Sequence, residues 1–323
     1  MKAVLYHCYG SADVLEYVDT AKPVAGDNEV LVKVHAASVN PLDWHYMRGS
    51  PYIIRAMTGM GAPEDTTMGV DFSGTVEAVG NTVTQFKVGD RVFGGAGGAF
   101  AEYLVIREDR AIVKIPTNVS FEQAASVPIA AITALQALQD LAKVQPGQKV
   151  LINGASGGVG TFAVQIAKSL GAEVTGVCSA RNTEMVRSLG ADHVLDYRQE
   201  NYTESNEIYD VIIDNVGNHS LLANSRVVTP EGVIVMVGGG KGDWIAPFSG
   251  PLQAALIAPF LDQEVQSLLA VLDQEDLQQL ADLMQSGEMI PVIDKRYALG
   301  EIAQAIRYSE EGHAKGKIIV NVE

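Results

Sequence analysis

The run Val150-Leu151-Ile152-Asn153-Gly154-Ala155-Ser156-Gly157-Gly158-Val159-Gly160 passes from an apolar strand through a glycine-rich turn straight into the start of a helix. Glycines let the backbone come close to a pyrophosphate, and the free N–H groups at the positive end of the following helix hold its charge. The spacing departs from G-x-G-x-x-G, because Ala155 and Ser156 separate Gly154 from Gly157. A tight strand–helix turn with no ligand is the alternative. Against it stand the strand before, the helix after and a second strand at the right distance. Ala155, Ser156, Gly157, Gly158 and Val159 are therefore expected to line a dinucleotide.

The flanking sequence has two textures. Up to about residue 122 it reads as short strands and glycine turns. Val30–Val34 and Phe72–Val79 alternate with period two, and further strands are expected at Arg91–Phe93, Ala99–Ile106 and Ala111–Ile115. That pattern predicts a small barrel. At Ser120-Phe121-Glu122-Gln123 a capping box opens an Ala-rich helical run. After Pro146-Gly147, strands at Lys149–Asn153, Glu173–Cys178, His193–Asp196, Asp210–Asp214 and Gly232–Val237 alternate with helices at Val159–Leu170, Asn182–Leu189 and His219–Val228. Such alternation predicts a parallel sheet with helices on both faces. Ala298–Glu310 reads as a helix and Lys317–Val322 as a last strand. The fold class is α/β, with two domains expected in 323 residues: 1–122 completed by 296–323, and 123–295.

The end of the second strand bears on the cofactor. Proteins that bind NAD place Asp or Glu there, about 20 residues beyond the loop, to hold the ribose 2′-OH. This chain has Ser179-Ala180-Arg181-Asn182 and no acid. A hydroxyl and a guanidinium suit a 2′-phosphate, hence NADPH. Tyr197, just after the third strand, is placed to add a hydroxyl or lie against the adenosine. A solvated cation is the plain alternative for Arg181.

The net charge of −16 repels nucleic-acid phosphate, and no basic stripe interrupts it. No apolar stretch is long enough to span a bilayer. The N-terminus carries no apolar signal core, which makes the cytoplasm the simplest address. Cys8 and Cys178, far apart on apolar strand-like runs, are expected to be buried, reduced thiols.

Val88-Gly89-Asp90-Arg91-Val92, the loop Ala155–Gly160 and the ending Gly312-His313-Ala314-Lys315-Gly316-Lys317-Ile318-Ile319-Val320 together resemble the zinc-independent medium-chain dehydrogenases/reductases. Ser179–Asn182 and Ser188-Leu189-Gly190-Ala191-Asp192 make the likeness strongest to the ζ-crystallin-like quinone oxidoreductases and the enone/alkenal reductases. The resemblance implies a GroES-like β-barrel domain plus a Rossmann domain, with the last strand returning to the barrel. It implies that Ser38–His45 lines the nicotinamide cleft, with Asn40 where zinc-dependent relatives have a cysteine ligand and Asp43 in the same segment. His45 stands where enone reductases often have Lys. The resemblance also sets Thr133 near the nicotinamide ribose and phosphate. Asn215-Val216-Gly217 and Val237-Gly238-Gly239 fall at strand ends beside the cofactor, and Gly316-Lys317 at a C-terminal cofactor contact.

No metal is expected: there is no cysteine cluster, and the family's His-Glu ligand position reads Val70-Asp71. The activity implied is reduction of an enone, enal or quinone by hydride transfer from NADPH. Asn40, His45 and the nicotinamide ribose hydroxyl are candidate donors to the enolate oxygen, and Tyr46 or water is the candidate proton source. Tyr46, Tyr52, Ile53, Ile54, Met57 and Met60 form a candidate apolar wall, and Gly238–Gly250, with Trp244 and Phe248, a candidate lid. Two readings compete: an NADPH-binding protein with little turnover, and an enoyl-thioester reductase. A homodimer is the expected assembly.

Overall fold

The computed structural model describes residues 1–238, 254 and 256–322. The chain opens with a hairpin, β1 (Lys2–Leu5) and β2 (Glu16–Asp19), and enters β3 (Glu29–Val39). β3 alternates partners along its length. Its first half pairs with β6 (Tyr103–Arg107) and its second half with the C-terminal strand, while β4 (Asp71–Val79) runs antiparallel along all of it. Register shifts at Leu31/Val32 and Val34/Ala36 bend β3 where the partner changes, as bulges do. The sheet continues through β5 (Arg91–Gly95) to β7 (Ile112–Lys114).

Between β3 and β4 lie α1 (Pro41–Arg48) and the short α2 (Arg55–Thr58). After β7 come α3 (Phe121–Ala125) and α4 (Pro128–Gln136). The capping box at Ser120 and Gln123 is formed, with Gln123 N–H donating to Ser120 Oγ at 3.2 Å and Ser120 N–H to Gln123 Oε1 at 3.0 Å.

The second part is parallel throughout. β8 (Lys149–Asn153), β9 (Glu173–Cys178), β10 (His193–Asp196), β11 (Tyr209–Asp214), β12 (Val228–Met236) and β13 (Glu264–Ser267) form a sheet of order β10-β9-β8-β11-β12-β13. α5 (Gly158–Ser169), α6 (Thr183–Ser188) and α7 (Leu221–Ser225) are its connections. The central strands bury Leu151, Val177, Ile212 and Ile234. α5 is buried from Gly160 to Ala167, as a helix apolar on nearly every face must be. The order reverses at β8, whose neighbours are β9 and β11, and the glycine loop follows β8. That is the switch point at which open α/β sheets take ligands.

α8 (Gln274–Ser286), β14 (Ile293–Ala298), α9 (Ile302–Glu310) and β15 (Lys317–Asn321) rejoin the barrel, β14 beside β15 and β15 beside β3. The chain thus divides into two compact units, Met1–Ile132 with Val271–Glu323, and Thr133–Ala270. These boundaries differ from those expected after residue 122 and before residue 296. The reason is tertiary: Phe121 O and Ile129 N–H are hydrogen-bonded to Ser73 and Asp71 of β4, the Gln274 amide donates to Ile112 O at 2.8 Å, and β14 pairs with β15. No helix among the described residues is long and apolar enough to cross a membrane.

Several expectations need correction. Cys8 is exposed, in a bend after β1, and only Cys178 is buried. The strand expected over Ala99–Ile106 starts at Tyr103, because Ala101 is engaged in an isolated bridge to Ala3. The helix expected over His219–Val228 is the five-residue α7, capped by the Ser220 hydroxyl, and Val228 already belongs to β12. Strands β1, β2, β13 and β14 and helices α1, α2 and α8 were not anticipated.

Phe72 on β4 is fully buried in the barrel core. Its truncation removes a large apolar side chain and leaves a cavity. Phe72→Ala is expected to destabilise the barrel by about 3–5 kcal/mol, read from urea unfolding. Val24→Ala, at an exposed position, should change stability by less than about 0.5 kcal/mol.

Candidate active site

In the second unit the site grows from the ends of β8, β11 and β12. Gly154 has φ +81°, and a Cβ there would lie 2.8 Å from the Val216 side chain. A Cβ on Gly160 would lie 2.1 Å from Gly154 O. Both positions therefore require glycine for the turn to fold back on the first turn of α5. The N-cap of α5 is Gly157, with no side chain to cap it. The first-turn N–H groups of a helix lack partners within it, so Gly158 and Val159 present uncapped donors at the positive helix end, a fit to a pyrophosphate.

Asp214, buried at the end of β11, organises the neighbouring turn. Its Oδ1 accepts from Val216 N–H at 3.1 Å, Gly217 N–H at 2.9 Å and Asn153 Nδ2 at 2.8 Å. Its backbone carbonyl accepts from Val237 N–H at 2.9 Å and Gly238 N–H at 3.0 Å. Asn215, Val216, Val237 and Gly238 are thereby gathered beside the glycine loop. Asn215 donates to Asn153 O, and its own Oδ1 is a buried acceptor without a protein partner among the described residues. An orphan acceptor of this kind suits a bound donor such as a carboxamide.

The turn after β9 is joined to the loop by Asn182, whose Nδ2 donates to Ser156 Oγ at 2.9 Å. Ser179 is buried and Arg181 exposed in the same 3-10 turn. Tyr197 is exposed after β10, with the Arg198 guanidinium 5.8 Å from its ring centroid. Thr133 is buried on α4. Asn153, Asn182, Arg198 and Asp214 had not been singled out from sequence. Only the polar strand ends Asn153 and Asp214 carried a signal that could have found them. Gly239, Trp244 and Phe248 lie outside the described residues.

In the first unit the expected residues Asn40, Asp43 and Lys317 form one buried cluster with Asp71 and Ser38. Asp71 Oδ2 accepts from Ser38 Oγ and Asn40 Nδ2, each at 2.8 Å, and from Lys317 Nζ at 3.3 Å. Its Oδ1 accepts from Ile129 N–H in the first turn of α4 at 3.0 Å. Lys317 Nζ also donates to Asn40 Oδ1 at 2.5 Å. Asp43 accepts from Asn40 N–H at 2.7 Å, closing half of a capping box on α1. The Asn40 side chain does not cap; it turns to Asp71 and Lys317. The Lys317 ammonium, expected at a cofactor contact, is thus directed into the barrel.

His45 lies on α1, and its Nδ1 is 2.7 Å from Ser50 O. A carbonyl only accepts, so Nδ1 carries the proton, and in the neutral ring Nε2 is an acceptor. Burial lowers the His45 pKa, which favours that neutral form. In that form, donation from His45 to an oxyanion would need a second ring proton. Tyr46 is half-buried and its pKa is raised, first by burial and then by Asp43, so its hydroxyl keeps its proton. Tyr52, Ile53, Met57 and Met60 expose apolar surface, whereas Ile54 turns into the core. Arg55 stacks between the rings of Tyr9 and Tyr52.

Residues 26–117 match the family model of the alcohol dehydrogenase GroES-like domain, and residues 189–320 that of the zinc-binding dehydrogenase. A chloroplast envelope quinone oxidoreductase homolog of Arabidopsis thaliana is 35% identical, covering 99% of this chain and 98% of its own. The structure of the quinone oxidoreductase from Coxiella burnetii superposes with a TM-score of 0.89 at 31% identity, over 100% and 99% of the two chains. That of CurK enoyl reductase does so with 0.87 at 28%, over 100% and 99%. The donor set at Asn40 does not fit zinc. It offers an amide and a carboxylate already engaged by four donors, with an ammonium among them, and no group of three His, Cys, Asp or Glu among the described residues could hold a metal. With an uncapped helix end for a nicotinamide dinucleotide in one unit and a metal-unsuited polar cluster in the other, the chain belongs to the quinone oxidoreductase branch of the medium-chain dehydrogenase/reductase family.

Proposed function

We propose that this oxidoreductase uses NADPH to reduce the activated C=C of an α,β-unsaturated carbonyl, or a quinone, without a metal. The observation that carries the reading is the Asn40 amide. One Nδ2–H is given to Asp71, and the other has no protein partner among the described residues. When bound, the dihydronicotinamide supplies a hydride, so that enone, NADPH and a proton give the saturated carbonyl compound and NADP+. As negative charge moves to the carbonyl oxygen, a fixed N–H donor stabilises it. Such an enolate is delocalised and asks less of the site than an alkoxide, for which a Lewis acid is the usual help. Neutral His45 offers Nε2 as an acceptor, suited to holding a water or a substrate hydroxyl. The Tyr46 hydroxyl, or water, delivers the proton to the α-carbon. The likeness to CurK enoyl reductase favours an enoyl thioester as the second substrate class.

The preference for NADPH rests on Ser179 and Arg181, with Tyr197 and Arg198 nearby and no acid in the Ser179–Asn182 turn. Steady-state NADPH oxidation should be seen with simple enones and quinones. Arg181→Ala should weaken NADPH on the order of tenfold, since a charge-assisted phosphate contact is worth about 1.5–3 kcal/mol, and leave NADH nearly unchanged. Equal loss for both cofactors would contradict a 2′-phosphate contact.

Asp43 is assigned a supporting task at the same site. Burial pushes its carboxyl up to about 7; the Asn40 N–H opposes the rise, Asp71 adds to it and Lys317 opposes it. The folded chain therefore keeps the proton to about pH 7, while the unfolded chain releases it near 3.8. The stability linked to this proton is fully present below about pH 4 and is lost as pH rises to about 7. Asp43→Asn should remove that fall. The stability of wild type relative to the variant should drop by a few kcal/mol, on the order of the shift, across this window in urea titrations. A difference that stays flat from pH 4 to pH 7 would show that Asp43 is ionised throughout.

A further inference from the structure

Strand register brings together residues that are 246 positions apart in the chain. β15 and β3 pair Ile318 with Val39 and Ile319 with Ser38, so Lys317 falls opposite Asn40. β3 and β4 pair Ser38 with Asp71. β15, the residue that follows β3 and the first residue of β4 therefore bring an ammonium, an amide and a carboxylate to one spot. Lys317 is 3% exposed, Asn40 2% and Asp71 0%.

The chemistry of the three groups leaves the amide a single orientation. An ammonium only donates and a carboxylate only accepts, whereas the two ends of a side-chain amide are alike in shape. With Oδ1 on Lys317 and Nδ2 on Asp71, both contacts are favourable. Reversal would set N–H against the ammonium and C=O against the carboxylate, a double repulsion in a buried setting. Ser38, Asn40, Lys317 and Ile129 together donate to both Asp71 oxygens, so the carboxylate has no freedom to turn and let the amide follow.

We infer that Lys317 is a positioning residue for the reaction: an internal cation that locks the Asn40 amide so that its remaining Nδ2–H donates to the substrate's carbonyl oxygen. The inference rests on the enone or quinone reductase reading above. The same ammonium keeps a metal ion out of the cluster, because a second cation there would meet a fixed positive charge within the contact range of both oxygen ligands.

Four variants test it: Lys317→Met, Lys317→Met with Asp71→Asn, Asn40→Ala, and Asn40→Ala with Lys317→Met. The paired Asp71→Asn change removes the carboxylate that Lys317→Met would leave buried and unpaired, which protects the fold. Each is measured with 3-penten-2-one and 1,4-naphthoquinone. The kcat is taken per NADPH-binding site, counted by fluorescence titration, together with the isotope effect from deuterated NADPH. Lys317→Met, alone and with Asp71→Asn, should bind NADPH within about twofold of wild type. Its kcat per site should be on the order of a hundredfold lower, as for loss of one oxyanion donor, with a larger isotope effect. Because Lys317 acts through Asn40, adding Lys317→Met to Asn40→Ala should cost at most about threefold more. Unchanged kcat per site in the Lys317→Met, Asp71→Asn variant, or multiplicative losses in the Asn40→Ala pair, would overturn the inference.

A second readout does not need turnover. The Asn40 Nδ2 protons, identified by their loss in Asn40→Ala, should give one slowly and one rapidly exchanging NMR signal. That asymmetry should vanish in the Lys317→Met, Asp71→Asn variant, where neither ion is left to orient the amide, and its persistence there would equally overturn the inference. Wild-type protein that turns over neither substrate would contradict the reductase reading, while the exchange measurement still decides the role of Lys317.

Discussion

In the barrel interior a carboxylate from β4 faces an ammonium from the last strand of the chain. Neither ion can be buried alone, since breaking such a pair costs about 3–5 kcal/mol. The contact between Asp71 and Lys317 therefore ties the register of β15 to that of β4 through the shared partner β3. The second oxygen of Asp71 holds the first turn of α4 through Ile129. One carboxylate thus links three strands, a helix and the amide of Asn40. Its position depends on the bends in β3, without which β15 and β6 could not share that strand.

Asp214 does the corresponding work in the other unit. A buried acidic side chain at the end of β11 collects donors from Val216, Gly217, Asn153 and Asn224, and its backbone carbonyl collects Val237 and Gly238. A cofactor loop made almost wholly of backbone has few side chains with which to fix itself. Asp214 supplies that fixity from one step behind. The two units are built alike: in each, the candidate site groups are held by a buried acid.

How much of this could be read from sequence follows from the range of each interaction. The glycine loop was legible because its determinants, Val150 to Gly160, are consecutive, and β8 and β9 were found at their observed bounds because central parallel strands are buried on both faces; the half-exposed edge strand β10 was found from its place in the strand–helix alternation. β13, Glu264–Ser267, contains one apolar residue, and β14 is mostly polar; short edge strands of this kind carry no periodic signal. The start of α1 did carry one, Asn40 before Pro41 with Asp43 at the third position, but the segment had been read as a cleft lining. The partnership of Lys317 with Asn40 and Asp71 was not legible at all, since no local pattern states a register between residues so far apart. The same holds for His45: which nitrogen carries the proton is set by Ser50 O, through the fold of the turn after α1.

The account makes the chain a reductase in which charge lands on a carbonyl oxygen conjugated to the bond that accepts hydride. The most direct test is the destination of the label when an α,β-unsaturated ketone is turned over with NADPH deuterated at the transferred position. The account predicts deuterium on the β-carbon of a saturated ketone, with a solvent-derived proton on the α-carbon. Deuterium on the carbinol carbon of an allylic alcohol would contradict it, because the charge would then have developed on an alkoxide that this metal-unsuited site is not built to hold.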